Sequence, residues 1–144
     1  MATEPPPLPL DPADFDAVGV LSDAVVALRV HAIEADTDVA ATVSAPDGWH
    51  RVVVTARSSG HLVLGVRYTE LTTSRWHNVA DALDRRGWQL DEDEEGSTVR
   101  FPPGTEPTNA AFEALAALTL AGAPATVRTV TAVDGHGEAV TLGS

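Results

Sequence analysis

The chain has 144 residues, 44% of them hydrophobic and 21% charged, which is one ordinary domain with enough apolar material for a real core. Its formal charge is −12, all nine of its Lys/Arg cations are arginine, and it has no cysteine. That balance argues against nucleic-acid and anionic-membrane binding, which need clustered cations. It also excludes a disulfide framework, a thiol nucleophile and a cysteine metal site.

The N-terminal "MATEPPPLPLDP" holds prolines at five of residues 1–12 and offers little to bury. It reads as a disordered, extended tail before a single α+β domain over 13–144. Its "PPPLP" suits an aromatic groove, but such runs are more often plain termini. The segment lacks the positive n-region and long apolar run of a signal peptide. No stretch approaches the roughly 18 apolar residues of a membrane span, so a cytoplasmic protein is expected.

From Asp14 the pattern becomes helical, with Phe15, Val18, Leu21, Val25, Leu28 and Ile33 recurring mostly at three- and four-residue steps. Three strand-like runs follow: Asp38 to Ala45, Trp49 to Arg57 and His61 to Tyr68. The turns "PDG" and "SSG" separate them, which predicts an antiparallel meander. "TTSRWHNVADALDRRGW" predicts a helix capped by Thr72, Thr73 or Ser74, with Trp76, Val79, Ala80 and Leu83 on its apolar face and Gly87 at its end. "WQL" and "STVRF" predict two strands around an acidic run. "EPTNAAFEALAALTLAGAP" predicts a third helix closed by Gly122 and Pro124, and "TVRTVTAV", "DGHG" and "EAVTL" predict a terminal hairpin. The expected fold is α+β, an antiparallel sheet with helices on one face, in the order α-β-β-β-α-β-β-α plus the hairpin.

Two groups of residues invite a chemical reading. Asp91, Asp93, Glu95 and Gly96 fall on positions one, three, five and six of an EF-hand calcium loop, but position twelve is Pro102 where a bidentate glutamate belongs. A solvated turn is the better account, and no metal is expected. His31, His50, His61, His77 and His136 form no two-histidine helical pair. Nucleophile elbow, phosphate loop and dinucleotide fingerprint are all missing. No catalytic residue and no cofactor are therefore expected, and the chain does not read as an enzyme.

Strand parity carries the sharper observation. Val52, Val54 and Ala56 share one face of their strand, and Leu62, Leu64, Val66 and Tyr68 one face of the next; these are the expected core faces. The opposite faces carry Arg51, Val53, Thr55 and Arg57, then His61, Val63, Gly65 and Arg67. Arg100 joins them if Val99 and Phe101 are core. Four arginines with valines between them invert the local sign of a strongly acidic protein. Arg51, Val53, Arg57, Val63, Arg67 and Arg100 thus form a candidate surface for an acidic, partly apolar partner segment. The plain alternative is that these arginines pair across strands with Asp or Glu.

The element order over about Asp14 to Gly122, the size and the acidity, with "SRWHNVADALDRRGW" and "AAFEALAAL" as second and third helices, resemble the type III secretion chaperone-like superfamily. That resemblance implies a non-enzymatic homodimer that binds a segment of another protein. The competing expectation is a small-ligand binder or small enzyme with a pocket between sheet and helices, lined by Tyr68, Trp76 and Trp88, with His77 as acid or base.

Overall fold

The structure is a computed structural model, and the residues it describes are 8–10, 17–45, 50–68, 72–92, 95–122, 128–135, 137 and 139–140. Phe15, Trp49, Asp93, Glu94, Pro124 and His136 lie outside them.

In chain order the elements are β1 (Leu8–Leu10), α1 (Ala17–Ala35), β2 (Val39–Ser44), β3 (Arg51–Ala56), β4 (Leu62–Arg67), α2 (Thr73–Arg85), β5 (Gln89–Leu90), β6 (Gly96–Phe101), α3 (Pro107–Leu120) and β7 (Arg128–Asp134). The seven strands among the described residues join one antiparallel sheet in the order β1-β7-β2-β3-β4-β6-β5. The expected α+β architecture and element order are therefore observed.

The local reasons are visible in α2. The Thr72 side chain accepts from the Arg75 amide, occupying a donor that the first turn leaves without an intrahelical partner. Val79 and Leu83 are its buried residues, four apart on the face toward the core. Gly87 adopts φ +94°, a left-handed turn that a side chain would resist. From there the chain reverses into Trp88.

Strand parity also holds as expected. Val52, Val54, Ala56, Leu62, Leu64, Val66 and Tyr68 are all buried, and α1 and α3 pack over that face. In α1 the core residues are Leu21, Ala24, Val25, Leu28 and Ala32, whereas Ile33 is 58% exposed. The expected stripe placed Ile33 in the core. An ideal helix turns 100° per residue, so the steps that bury Leu21, Val25, Leu28 and Ala32 carry Ile33 round to the solvent side with Val26 and Val30.

Two features depart from or complete the sequence expectations. Within the tail expected to be disordered, Leu8–Leu10 forms β1, with Pro9 opposite Thr129 of β7. Proline is tolerated there because an edge strand needs no outward N–H bond. The terminal hairpin does not stand apart: β7 inserts between β1 and β2. Its return arm appears as the Val133–Ala139 bridge and a 2.9 Å bond from the Val140 amide to Ala132 O.

Charged ties link the layers. Glu113 of α3 accepts from Arg86 Nη2 at 2.7 Å and Nε at 3.1 Å, and from the Trp88 indole at 3.1 Å. Arg29 of α1 donates to Thr105 O at 2.8 Å and to Pro103 O, holding the loop before α3 against the first helix. No helix among the described residues is long and apolar enough to cross a membrane.

Candidate functional site

The six residues singled out for partner binding all come from three adjacent strands, β3, β4 and β6, or their ends. The ladders place Val53 opposite Gly65, and Gly65 opposite Thr98. One row over, Thr55 stands opposite Val63, and Val63 opposite Arg100. The register of β3 with β4 also sets Arg51 across from Arg67, one step past the last ladder pair. Arg51, Val53, Val63, Arg67 and Arg100 therefore share the face away from the helices. Val53 is 37% exposed at its middle, with small side chains such as Ala40, Thr42 and Thr55 around it.

The arginines of this face are not alike. Arg57, just past β3, lies 3.9 Å from Asp38, and Arg67 forms an ion pair with Glu95. Cross-strand pairing thus accounts for two of them, at exposed positions where such pairs contribute little. Among the described residues Arg51 and Arg100 enter no ion pair. Beside Arg100 an open groove of about 470 Å³ follows the β5–β6 edge, with Leu90, Asp91 and Glu92 on its other walls.

Of the acidic run, Asp91, Glu92 and Glu95 are among the described residues. The Asp91 amide bonds Gly96 O at 2.9 Å, and the Asp91 carboxylate accepts from Thr98 Oγ1 at 2.6 Å.

The aromatic residues considered as pocket lining are packed instead. Trp88 is fully buried and satisfied by Glu113. Tyr68 and Ser97 share a buried 2.7 Å hydrogen bond between their hydroxyls. Trp76 lies against Tyr68 with ring centroids 6.1 Å apart, and the exposed His77 meets it edge-on at 4.9 Å.

Burial raises the Tyr68 phenol above its ordinary value; the Ser97 bond opposes this and the Asp91 charge adds to it. The neutral phenol is the form the fold favours. Its contribution is complete below the unfolded value near 10 and is lost as pH rises through the higher folded value. Tyr68 is the single tyrosine of the chain, so phenolate absorbance reports it alone. The expected result is a native titration midpoint above 10 that falls to about 10 in denaturant. Identical midpoints in the two states would refute this account.

Sequence reasoning passed over the other end of the sheet. Arg128 alternates with buried Val130 and Ala132, and His50 alternates with buried Val52 and Val54, so both belong to the helix side. The signal was the same parity that exposed the outer arginines, applied one strand further along.

No protein-family model, curated protein or solved structure matches the chain.

Proposed function

We propose that the chain is a non-enzymatic protein-binding module, chaperone-like or regulatory, that receives an acidic, partly apolar segment of a partner on the uncovered face of its sheet. The observation that carries this reading is a small-residue face centred on Val53 and Val63, with Arg51 and Arg100 on it, in a protein of net charge −12. Neither arginine has a counter-ion among the described residues. A carboxylate-bearing segment would supply one, and charge complementarity would set its orientation and encounter rate.

The sheet edges favour the face over strand addition. The outermost strands are three and two residues long, which leaves little free ladder for an incoming chain. The homodimer implied by the sequence resemblance belongs to the same proposal; Val26, Val30 and Ile33 on α1 are the exposed apolar stripe available to it. Light scattering on the full chain should then return twice the monomer mass, and a monomer mass would remove the dimer from the reading.

Arg51→Glu together with Arg100→Glu should abolish retention of the partner that wild-type protein captures, with the thermal transition kept within a few degrees. Arg85→Glu, an exposed change on α2, should leave capture intact. Equal capture by wild type and the double variant would overturn the assignment of this face.

A further inference from the structure

Gly65 lies inside β4, on the face away from the helices, opposite Val53 of β3 and Thr98 of β6. Glycine weakens a strand interior, because it loses the most backbone freedom on folding and packs no side chain. The fold itself gives no reason for it here. Its backbone is not left-handed. The pairing of β4 with β3 and with β6 runs through it in unbroken register, so it marks no bulge. Among the described residues a Cβ built on it would meet only Thr98 Oγ1 within 4 Å, at 3.9 Å, which is ordinary contact. A strand glycine with neither a bulge nor a crowded neighbour marks a place where something approaches from outside.

The ladders fix what surrounds this gap. Arg100 stands opposite Val63, and Val63 opposite Thr55, which lies four residues along β3 from Arg51. Arg51 and Arg100 are therefore about 14 Å apart along the strands and about 10 Å across them, or about 17 Å in all. Gly65 is midway on that diagonal, one strand and two residues from each arginine. Val53 and Val63 border the diagonal on one side, Arg67 and Thr98 on the other. The nearby acidic groups are engaged by those last two residues: Asp91 accepts from Thr98 Oγ1 at 2.6 Å, and Glu95 pairs with Arg67.

We propose that Gly65 is the seat for an apolar side chain of the partner segment, with one carboxylate of that segment on Arg51 and another on Arg100. This rests on the partner-binding reading of the same face and specifies what the face selects. In an extended segment the first, third and fifth side chains point the same way and span about 13 Å. The long side chains of arginine and glutamate cover the remainder of the diagonal. The recognised pattern is thus acidic-x-apolar-x-acidic. A carboxylate in the middle position would meet the Asp91 charge beside Thr98, so that position is apolar.

Random peptides displayed on phage and selected on the full chain provide the test. The selected sequences should carry the acidic-x-apolar-x-acidic pattern, and a synthetic peptide of their consensus is then titrated by fluorescence anisotropy. Gly65→Thr fills the gap with a residue that strands prefer. It should raise Tm by about 2–5 °C and weaken the peptide about tenfold or more. A gain in stability with a loss of binding is an outcome that a structural glycine would not give. Selection of no peptide, or of peptides without the pattern, overturns the proposal. So does a Gly65→Thr protein that fails to fold or melts below wild type, because the fold itself would then need the glycine. Peptide binding that Arg51→Glu with Arg100→Glu abolishes but Gly65→Thr keeps removes the seat at Gly65 and leaves the face as the partner surface. Binding that survives both changes removes the seat and the face together.

Discussion

Trp88→Ala is expected to be the most damaging single truncation in the chain, lowering stability by about 3–5 kcal/mol. Trp88 heads the fully buried side chains by volume and sits where the chain turns from α2 into the sheet. Removing the indole opens a cavity between rigid elements that cannot collapse to fill it. It also takes a donor from Glu113, whose carboxylate then holds only Arg86. Trp88→Phe separates the two effects, since it keeps most of the volume and loses the indole bond, and it should cost about 1–2 kcal/mol. Denaturant unfolding monitored by far-UV circular dichroism measures both. A loss below about 1 kcal/mol for Trp88→Ala would mean that the corner between α2 and β5 is not packed as described.

The second large effect belongs to a residue with no side chain. Gly96 opens β6 opposite Arg67, and an ideal Cβ there would lie 2.3 Å from Val66 O and 3.2 Å from Arg67 Cα. Both atoms are backbone, so relief requires β4 and β6 to separate where their ladder begins. The Tyr68 amide bond to Glu95 O and the Tyr68–Ser97 hydroxyl pair lie beside this point. Gly96→Ala should therefore cost about 3 kcal/mol, near 10 °C in Tm for a chain of this length. Gly104→Ala is the matched control: nothing lies within 4 Å of a Cβ there and the residue is exposed, so its effect should stay within about 0.5 kcal/mol. Equal melting of the two variants would contradict the close β4–β6 approach.

The elements with strong local signals are legible in the sequence. Thr72, the Val79–Leu83 spacing and Gly87 delimit α2, and alternation in β3 and β4 separates core from outer face. What stayed hidden is what depends on partners distant in sequence. Three residues around Pro9 carry no periodicity, and only the edge of β7 makes them a strand. Ile33 fits a three-to-four-residue pattern and still faces solvent, because Ala24 and Ala32 share the buried side and show how the stripe rotates. The outer arginines were legible as a group. Their division into paired and unpaired was not, since Asp38 and Glu95 reach Arg57 and Arg67 from other segments. Arg128 and His50 were open to the same alternation argument, which places both on the helix side.

The position of β7 also bears on how the sheet assembles. β2, β3 and β4 are consecutive strands close in sequence, so their ladders close small loops early. The ladder of β7 with β2 joins Val39 to Asp134, across nearly the whole domain, and β1 has nothing to pair with until β7 is seated. Zippering therefore runs outward from the meander, with β7 and β1 completing one flank last. Native-state amide exchange should follow the reverse path. The amides of β3 and β4 would open only with global unfolding, and those of β1 and β7 through a smaller, cheaper opening that strips one flank from an otherwise intact sheet.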